Sequence, residues 1–348
     1  LSAFGLVPAT LLGIDSAKLL DRAQAMMDEC APEMPAARNP GLVLGAILGE
    51  AALAGRDKLT LLTEPAWGAF GAWLEQLVAE SSGKQGKGIL PVDNEPPARA
   101  RAYGKDRIFV YMRQSGALDA FVAKLRRAKH PVLVLAVKDE YDLAAEFYRW
   151  EIATAVACAV LGVNSFDQPD VQDNKNRTAK KISDYAQSGK LPEGEPLRTL
   201  DGALVFGAEF PGVKQAKSLR DLVAEFLKQV KPGDYVAINA YLPRNVANFA
   251  RLQKLRKLIG QRTGAATTLG FGPRFLHSTG QLHKGGPDTG VFLQITADPA
   301  VDMEIPGEGM SFGVLERAQA LGDLEALMAR RRRVIRVHLK GAKVTDIL

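Results

Sequence analysis

The sequence predicts a doubly wound α/β protein. It should form two units, each a three-layer αβα sandwich around a mainly parallel sheet. Short apolar runs alternate with stretches of helical period along nearly the whole chain, as expected of strands and helices in a parallel-sheet fold. The alternation is interrupted once, by the turn-rich stretch Ser188-Gly189-Lys190-Leu191-Pro192-Glu193-Gly194-Glu195-Pro196, which reads as a linker. The 348 residues, at roughly 100–200 per domain, leave room for two units.

Each element follows from local pattern. Helical period covers residues 18–28, 42–54 and 67–79, and strand-like runs cover 59–62, 108–111 and 132–137. A long helix over 144–161 should stop at Gly162, and Pro169 is placed to open the next one, which runs to 187. These elements make residues 1–187 the first domain. Strands at 203–206, 235–240, 265–269, 291–295 and 334–339, with helices at 219–230, 245–260 and 315–329, make 197–348 the second. Two of the four histidines lie in a Gly-rich loop over 270–290, while His130 and His338 flank or enter strands and read as structural.

Composition narrows the function classes. The chain is 47% hydrophobic and 24% charged, ordinary for a globular protein. Cys30 and Cys158 are its only cysteines and lie far apart, which argues against a disulfide framework or a CxxC site and suits a reducing cytoplasm. The longest uncharged apolar run, 152–163, falls short of the ~20 residues that span a bilayer, so it reads as a buried helix and no membrane partner is expected. The net charge of +6 suits an anionic partner. Its one dense run, Arg330 to Arg333, reads as cations closing a helix C-terminus. No nucleic-acid-binding motif accompanies it, so a nucleic-acid partner is not expected. The opening Leu1-Ser2-Ala3 reads as though it begins inside an element, with more sequence expected upstream.

Three segments carry the chemistry. Glu80-Ser81-Ser82-Gly83-Lys84 sets a carboxylate beside small polar residues and an ammonium, where a base for a proton next to a carbonyl could sit; a plain helix exit would look the same. In Asn164-Ser165-Phe166-Asp167-Gln168-Pro169, followed by Lys175, the Gln168-to-Lys175 spacing of two helical turns points an amide and an ammonium the same way. A capped helix start with Lys175 in solvent is the plainer alternative. In Gly272-Pro273-Arg274-Phe275-Leu276-His277-Ser278-Thr279-Gly280-Gln281-Leu282-His283-Lys284, two histidines six apart do not share a helix face, which disfavours metal ligation. A Gly-, Ser- and Thr-rich loop after a strand can instead cradle phosphate or sugar.

These segments resemble the phosphoglucose isomerases. LSAFGLVPA resembles the stretch after that family's GGR-[FY]-S signature, ESSGK its ESxGK, and WEIATAVACAVLGVNSFDQPDVQDNK its N-x-F-D-Q-x-x-V-x-x-x-K region. FGPRFLHSTGQLHKGGPDTGVFLQIT resembles the isomerase half of fused transaldolase/glucose-6-phosphate isomerases. The resemblance implies a sugar isomerase (SIS) type fold and cofactor-free interconversion of glucose 6-phosphate and fructose 6-phosphate through a cis-enediol. Glu80 would be the base, with His277 and Lys175 opening the sugar ring. Ser81, Gly83, Lys84, Gln168, Gln281 and His283 would bind the hexose phosphate. Implied partners are that sugar phosphate, a second copy in a homodimer, and upstream transaldolase and SIS segments of the same polypeptide.

The chain departs from the family pattern in places. It lacks the SK-[ST]-x-[ST]-T phosphate loop, the GGR arginine would lie before Leu1, and Glu95-Pro96-Pro97-Ala98-Arg99 stands where a histidine is usual. His277 is therefore the first candidate for ring opening and His283 the second. The competing reading is a non-catalytic sugar-phosphate-binding SIS module, which would need phosphate contacts but no base.

Overall fold

The computed structural model of the chain describes residues 1–341 and 343–347. By packing, the chain divides into two compact units: one of residues 1–94 and 105–167, the other of 95–104 and 168 onward. Among the described residues no helix is long and apolar enough to cross a membrane.

The first unit runs α1 (Ala3–Leu11), α2 (Ser16–Glu29), α3 (Pro40–Leu53), β1 (Lys58–Thr63), α4 (Gly68–Ser82), β2 (Leu90–Val92), β3 (Arg107–Arg113), α5 (Asp119–Arg127), β4 (Val132–Ala136) and α6 (Asp142–Leu161). Its four strands are all parallel, in the order β2-β1-β3-β4. The period of two sorts the side chains. Leu59, Leu61, Ile108, Val110 and Met112 join the core formed with α3, α4 and α6. Phe109 turns to the other face against the His130 ring, and the Tyr111 hydroxyl there accepts from the Leu118 amide before α5. Helix α3 approaches α6 through Gly41, Gly45 and Gly49. A Cβ at Gly45 would lie 2.4 Å from the Ala153 carbonyl oxygen, so only glycine permits this contact. Gly162 ends α6 in the left-handed conformation, as its sequence position predicts.

The carboxyl edge of this sheet is fixed by Glu64, just after β1. Its buried carboxylate accepts from the Tyr111 hydroxyl at 2.6 Å, the Ser115 hydroxyl at 2.6 Å, and the backbone amides of Gln114, Ser115 and Gly116. Burial alone would raise its pKa, but these donors hold it at about 2.

The second unit runs α7 (Pro169–Ser188), β5 (Arg198–Leu200), β6 (Ala203–Gly207), α8 (Leu219–Leu227), β7 (Tyr235–Tyr241), α9 (Val246–Thr263), β8 (Ala266–Phe271), α10 (Thr279–Gly285), β9 (Gly290–Ala297), α11 (Phe312–Ala329) and β10 (Arg333–Leu339). Its sheet has the order β5-β6-β10-β9-β7-β8. Strands β7 to β10 pair in parallel, but β6 is antiparallel to both β10 and β5, so this sheet is mixed at one end. Val236, Ile238, Val291, Leu293, Ile335 and Val337 pack with α8 and α9 on one face. Tyr241 and Gln294 face α11 on the other, where Tyr241 clusters with Ala320 and Gln294 bonds Asp323. That alternation makes the unit a three-layer sandwich.

Two local expectations differ from the observed fold. Helix α7 packs with the second unit rather than closing the first, and 188–196 is tied into that unit. The Glu193 carboxylate in this stretch bonds Arg336 and Arg317, each at 2.7 Å, and supplies the counter-charge for the fully buried Arg336. At the far edge of the sheet, Glu95 accepts from the Thr267 amide at 2.8 Å and from its hydroxyl at 2.9 Å.

In α6, burial pushes the Glu146 carboxyl up to about 7 despite the Arg149 guanidinium at 3.3 Å. A carboxyl raised on folding favours the native state below its unfolded pKa near 4.5 and loses that contribution as pH rises through about 7. Glu146→Gln should match the parent in stability at pH ~5 and exceed it by on the order of 2–3 kcal/mol at pH ~8. Urea unfolding at the two pH values checks this; a difference between the proteins that does not change with pH would refute it.

Candidate active site

The Glu80-to-Lys84 segment is the last turn of α4 and its exit. Glu80 is half-buried and accepts weakly from the Gln76 amide at 3.4 Å, leaving its carboxylate with little internal commitment. Ser81 is also half-buried. Gly83 closes the helix at φ −77°; the left-handed residues come later, at Gln85 and Gly86. Lys84 is only 2% exposed, and its ammonium donates to the Asn164 carbonyl and pairs with Asp167 at 3.0 Å. Lys87 donates to the Leu161 carbonyl. Both lysines thus hold the loop after α6, and Lys84 is a brace for that loop rather than a free cation.

In the second unit, Gln168 is the exposed N-cap residue of α7 and makes no side-chain cap bond. Lys175, two turns on, is exposed. A short 3-10 turn, Arg274–His277, follows β8 and leaves the His277 ring exposed while Phe275 and Leu276 anchor it in the core. His277 and Lys175 line the same cavity, about 200 Å³, with Asn174, Thr178, Leu276 and Gln319. Two proton-carrying side chains from different elements therefore border one space, the arrangement that proton transfer to a bound ligand requires.

The rest of the histidine segment is folded inward. Instead of a loop, residues 279–285 form α10, six of whose residues are buried. The Gln281 amide is spent on the start of α7: its oxygen accepts from the Asp170 backbone at 3.0 Å and its nitrogen donates to the Asp170 carboxylate at 2.7 Å. His283 is 1% exposed, packed among Tyr235, Phe275 and Phe292. Burial, with Lys284 and Arg332 nearby, holds its pKa well below the usual value, and neither ring nitrogen has a hydrogen-bond partner among the described residues. Its geometry is that of a neutral core ring, which leaves His277 as the histidine open to solvent in this segment. Lys284 pairs with Asp323 at 2.6 Å, both fully buried.

Helix α7 is seated by charge. Arg330 pairs with Asp170 and Asp173, and Glu325 with Arg177 and Lys181. Gly322 of α11 allows close approach, since a Cβ there would lie 3.0 Å from the Thr178 hydroxyl.

No family model matches the chain. Among curated proteins, a probable glucose-6-phosphate isomerase from Haloarcula marismortui is 28% identical over 244 residues, 57% of this chain and 54% of that protein. Glucose-6-phosphate isomerases from Heliobacterium modesticaldum and Enterococcus faecalis are 26% and 24% identical over 50% and 59% of this chain. By sequence, the chain is a relative of the phosphoglucose isomerases. It spans about half the length of the curated relatives it matches. A solved C-terminal domain of glucosamine-fructose-6-phosphate aminotransferase from Francisella tularensis overlays 95% of the chain and 88% of that domain at a TM-score of 0.27 and 8% identity.

In this phosphoglucose isomerase relative, sequence reasoning missed Asn174, Thr178 and Gln319 as cavity residues. Thr178 lies about one turn after Lys175 on α7, and Asn174, the residue just before Lys175, shares the face of Thr178 four positions on. Gln319 enters through tertiary packing of α11 and has no local signal. The Gln281 geometry predicts that Gln281→Leu, similar in volume, costs about 1–3 kcal/mol by orphaning the Asp170 amide. Thermal or urea unfolding checks this, and an unchanged midpoint would mean that the amide is not a clasp.

Proposed function

We propose that the chain carries isomerase residues for the interconversion of glucose 6-phosphate and fructose 6-phosphate. The observation that supports this most is the shared cavity of His277 and Lys175, on the segments whose sequence resembles that family. In the reading, His277, assisted by Lys175, moves a proton to the ring oxygen and opens the sugar. Glu80 then takes the proton from C2 and returns it at C1 through a cis-enediol. Lys84, braced against Asp167, and Ser81 and Gly83 beside it shape the helix exit that presents Glu80. Gln168 would contact the sugar from the start of α7. The two cysteines, both free and buried, fit a reducing compartment, and we place the reaction in the cytoplasm.

The test is made on the full polypeptide that contains this chain. Glu80→Gln keeps shape but cannot accept the proton, so it should retain sugar-phosphate binding and lose ~10²–10⁴-fold or more in turnover, together with solvent deuterium exchange at C2. His277→Gln should slow turnover by about tenfold or more through loss of acid–base help. A parent protein that binds fructose 6-phosphate without turnover would select the non-catalytic binding module instead. Near-normal turnover in Glu80→Gln would assign the base elsewhere.

A further inference from the structure

The cavity that His277 and Lys175 share is bordered by a further side chain to which the isomerase reading gives no task. The cavity floor is apolar, built from Val171, Ile182 and Leu276. Of the uncharged polar groups around it, Asn174 and Thr178 turn their oxygens toward Gly322 of α11, where an added Cβ would lie 3.2 and 3.0 Å from them. The Asn174 oxygen is sealed there without a hydrogen bond. Gln319, in the middle of α11, differs. It is half-buried between the buried Ala318 and Ala320, yet its amide makes no hydrogen bond among the described residues, and neither amide atom is closed off from solvent. Gln281 on α10 shows the contrast, since it spends both amide atoms on Asp170. Lys175 and His277 also have no internal partner among the described residues. Three open polar groups from three elements thus border one apolar hollow.

They differ in what they can offer. An ammonium only donates, and an imidazole trades protons; a carboxamide donates and accepts at once and carries no charge. A sugar hydroxyl also donates and accepts, so two neighbouring hydroxyls match the two ends of an amide. The apolar floor suits the C–H groups between them. At about 200 Å³ the cavity is smaller than the roughly 300–1,000 Å³ that enclose a whole small ligand, so it takes one end of a sugar and leaves the rest outside. Resting on the isomerase reading for the choice of a sugar phosphate, we infer that Gln319 is a specificity-determining residue, which hydrogen-bonds hydroxyls of the sugar beside His277 and Lys175.

Sorbitol 6-phosphate is the probe, because it carries the hydroxyls of an opened sugar and has no carbonyl to isomerise. Hexyl phosphate is the control, equal in chain length but without hydroxyls. Calorimetric titration into the full polypeptide should show saturable binding of sorbitol 6-phosphate. Gln319→Leu, similar in volume, should weaken it by about threefold to tenfold and leave hexyl phosphate, however weakly that binds, unchanged. The unfolding midpoint should match the parent, since no internal hydrogen bond is lost. Gln319→Met, unbranched, should give the same result and serves where Leu disturbs α11. Equal weakening of both ligands would mean that shape rather than hydrogen bonding was lost, and would overturn the inference. So would unchanged binding of sorbitol 6-phosphate, its failure to saturate the parent, or a lowered midpoint in both variants. A Glu80→Gln protein with normal turnover would reassign the base and leave this titration untouched, so the two readings can fail separately.

Discussion

The Glu64 carboxylate organises the carboxyl edge of the first unit. A buried carboxylate survives only when its lone pairs are met, and here two hydroxyls and three backbone amides meet them. Because the donors come from β3 and the loop behind it, one side chain locks the exit of β1 to the exit of β3, the two central strands of the sheet. The turn Pro65–Trp67 and then α4 start from that fixed point, so the position of Glu80 at the far end of α4 depends on it. Burial and the bond to Glu64 push the Tyr111 phenol up to about 12, which keeps it a donor throughout the accessible pH range. The same convergence of amides would make an anion-binding nest were it not already filled from within.

Much of this architecture was legible in the sequence because its long elements carry their own signals. The helices ending at Gly162 and opening at Pro169, and the apolar strands β1, β3, β7, β9 and β10, all form where period and punctuation place them. What was hidden is either short or tertiary. Strands β2 and β5 have three residues each, too few for a period to register. Helix α10 reads as a loop because Gly280, Gly285 and Gly286 suggest turns, yet burial of Leu282 and His283 favours the helix. The stretch 188–196 has a linker's composition, but Glu193 is held by Arg336, 143 residues away. For the site, motifs singled out Glu80, Lys175 and His277, all at least partly accessible. They could not separate His277 from His283, since only packing decides which ring is sealed among aromatic neighbours.

The basic run has a similar lesson. Arg330 seats α7, Arg332 donates to the Lys284 and Gly286 carbonyls, and Arg333 pairs with Asp234 at 2.5 Å. Only Arg331, in the left-handed conformation, is free of these internal duties and exposed. A cluster that looks like a polyanion-binding patch is mostly internal mortar, so its charge gives little guide to partners.

Glu95 closes the account at the opposite margin of the second sheet. Strand β8 is an edge strand, and an edge with an open row of N–H groups is a template for strands of other molecules. The Glu95 carboxylate occupies the Thr267 amide from 172 positions upstream, and as an acceptor only it cannot extend the ladder. The proline-rich stretch that carries Glu95 thus fills an outward N–H of the edge from within the same chain, and at Thr267 an added strand would find no donor.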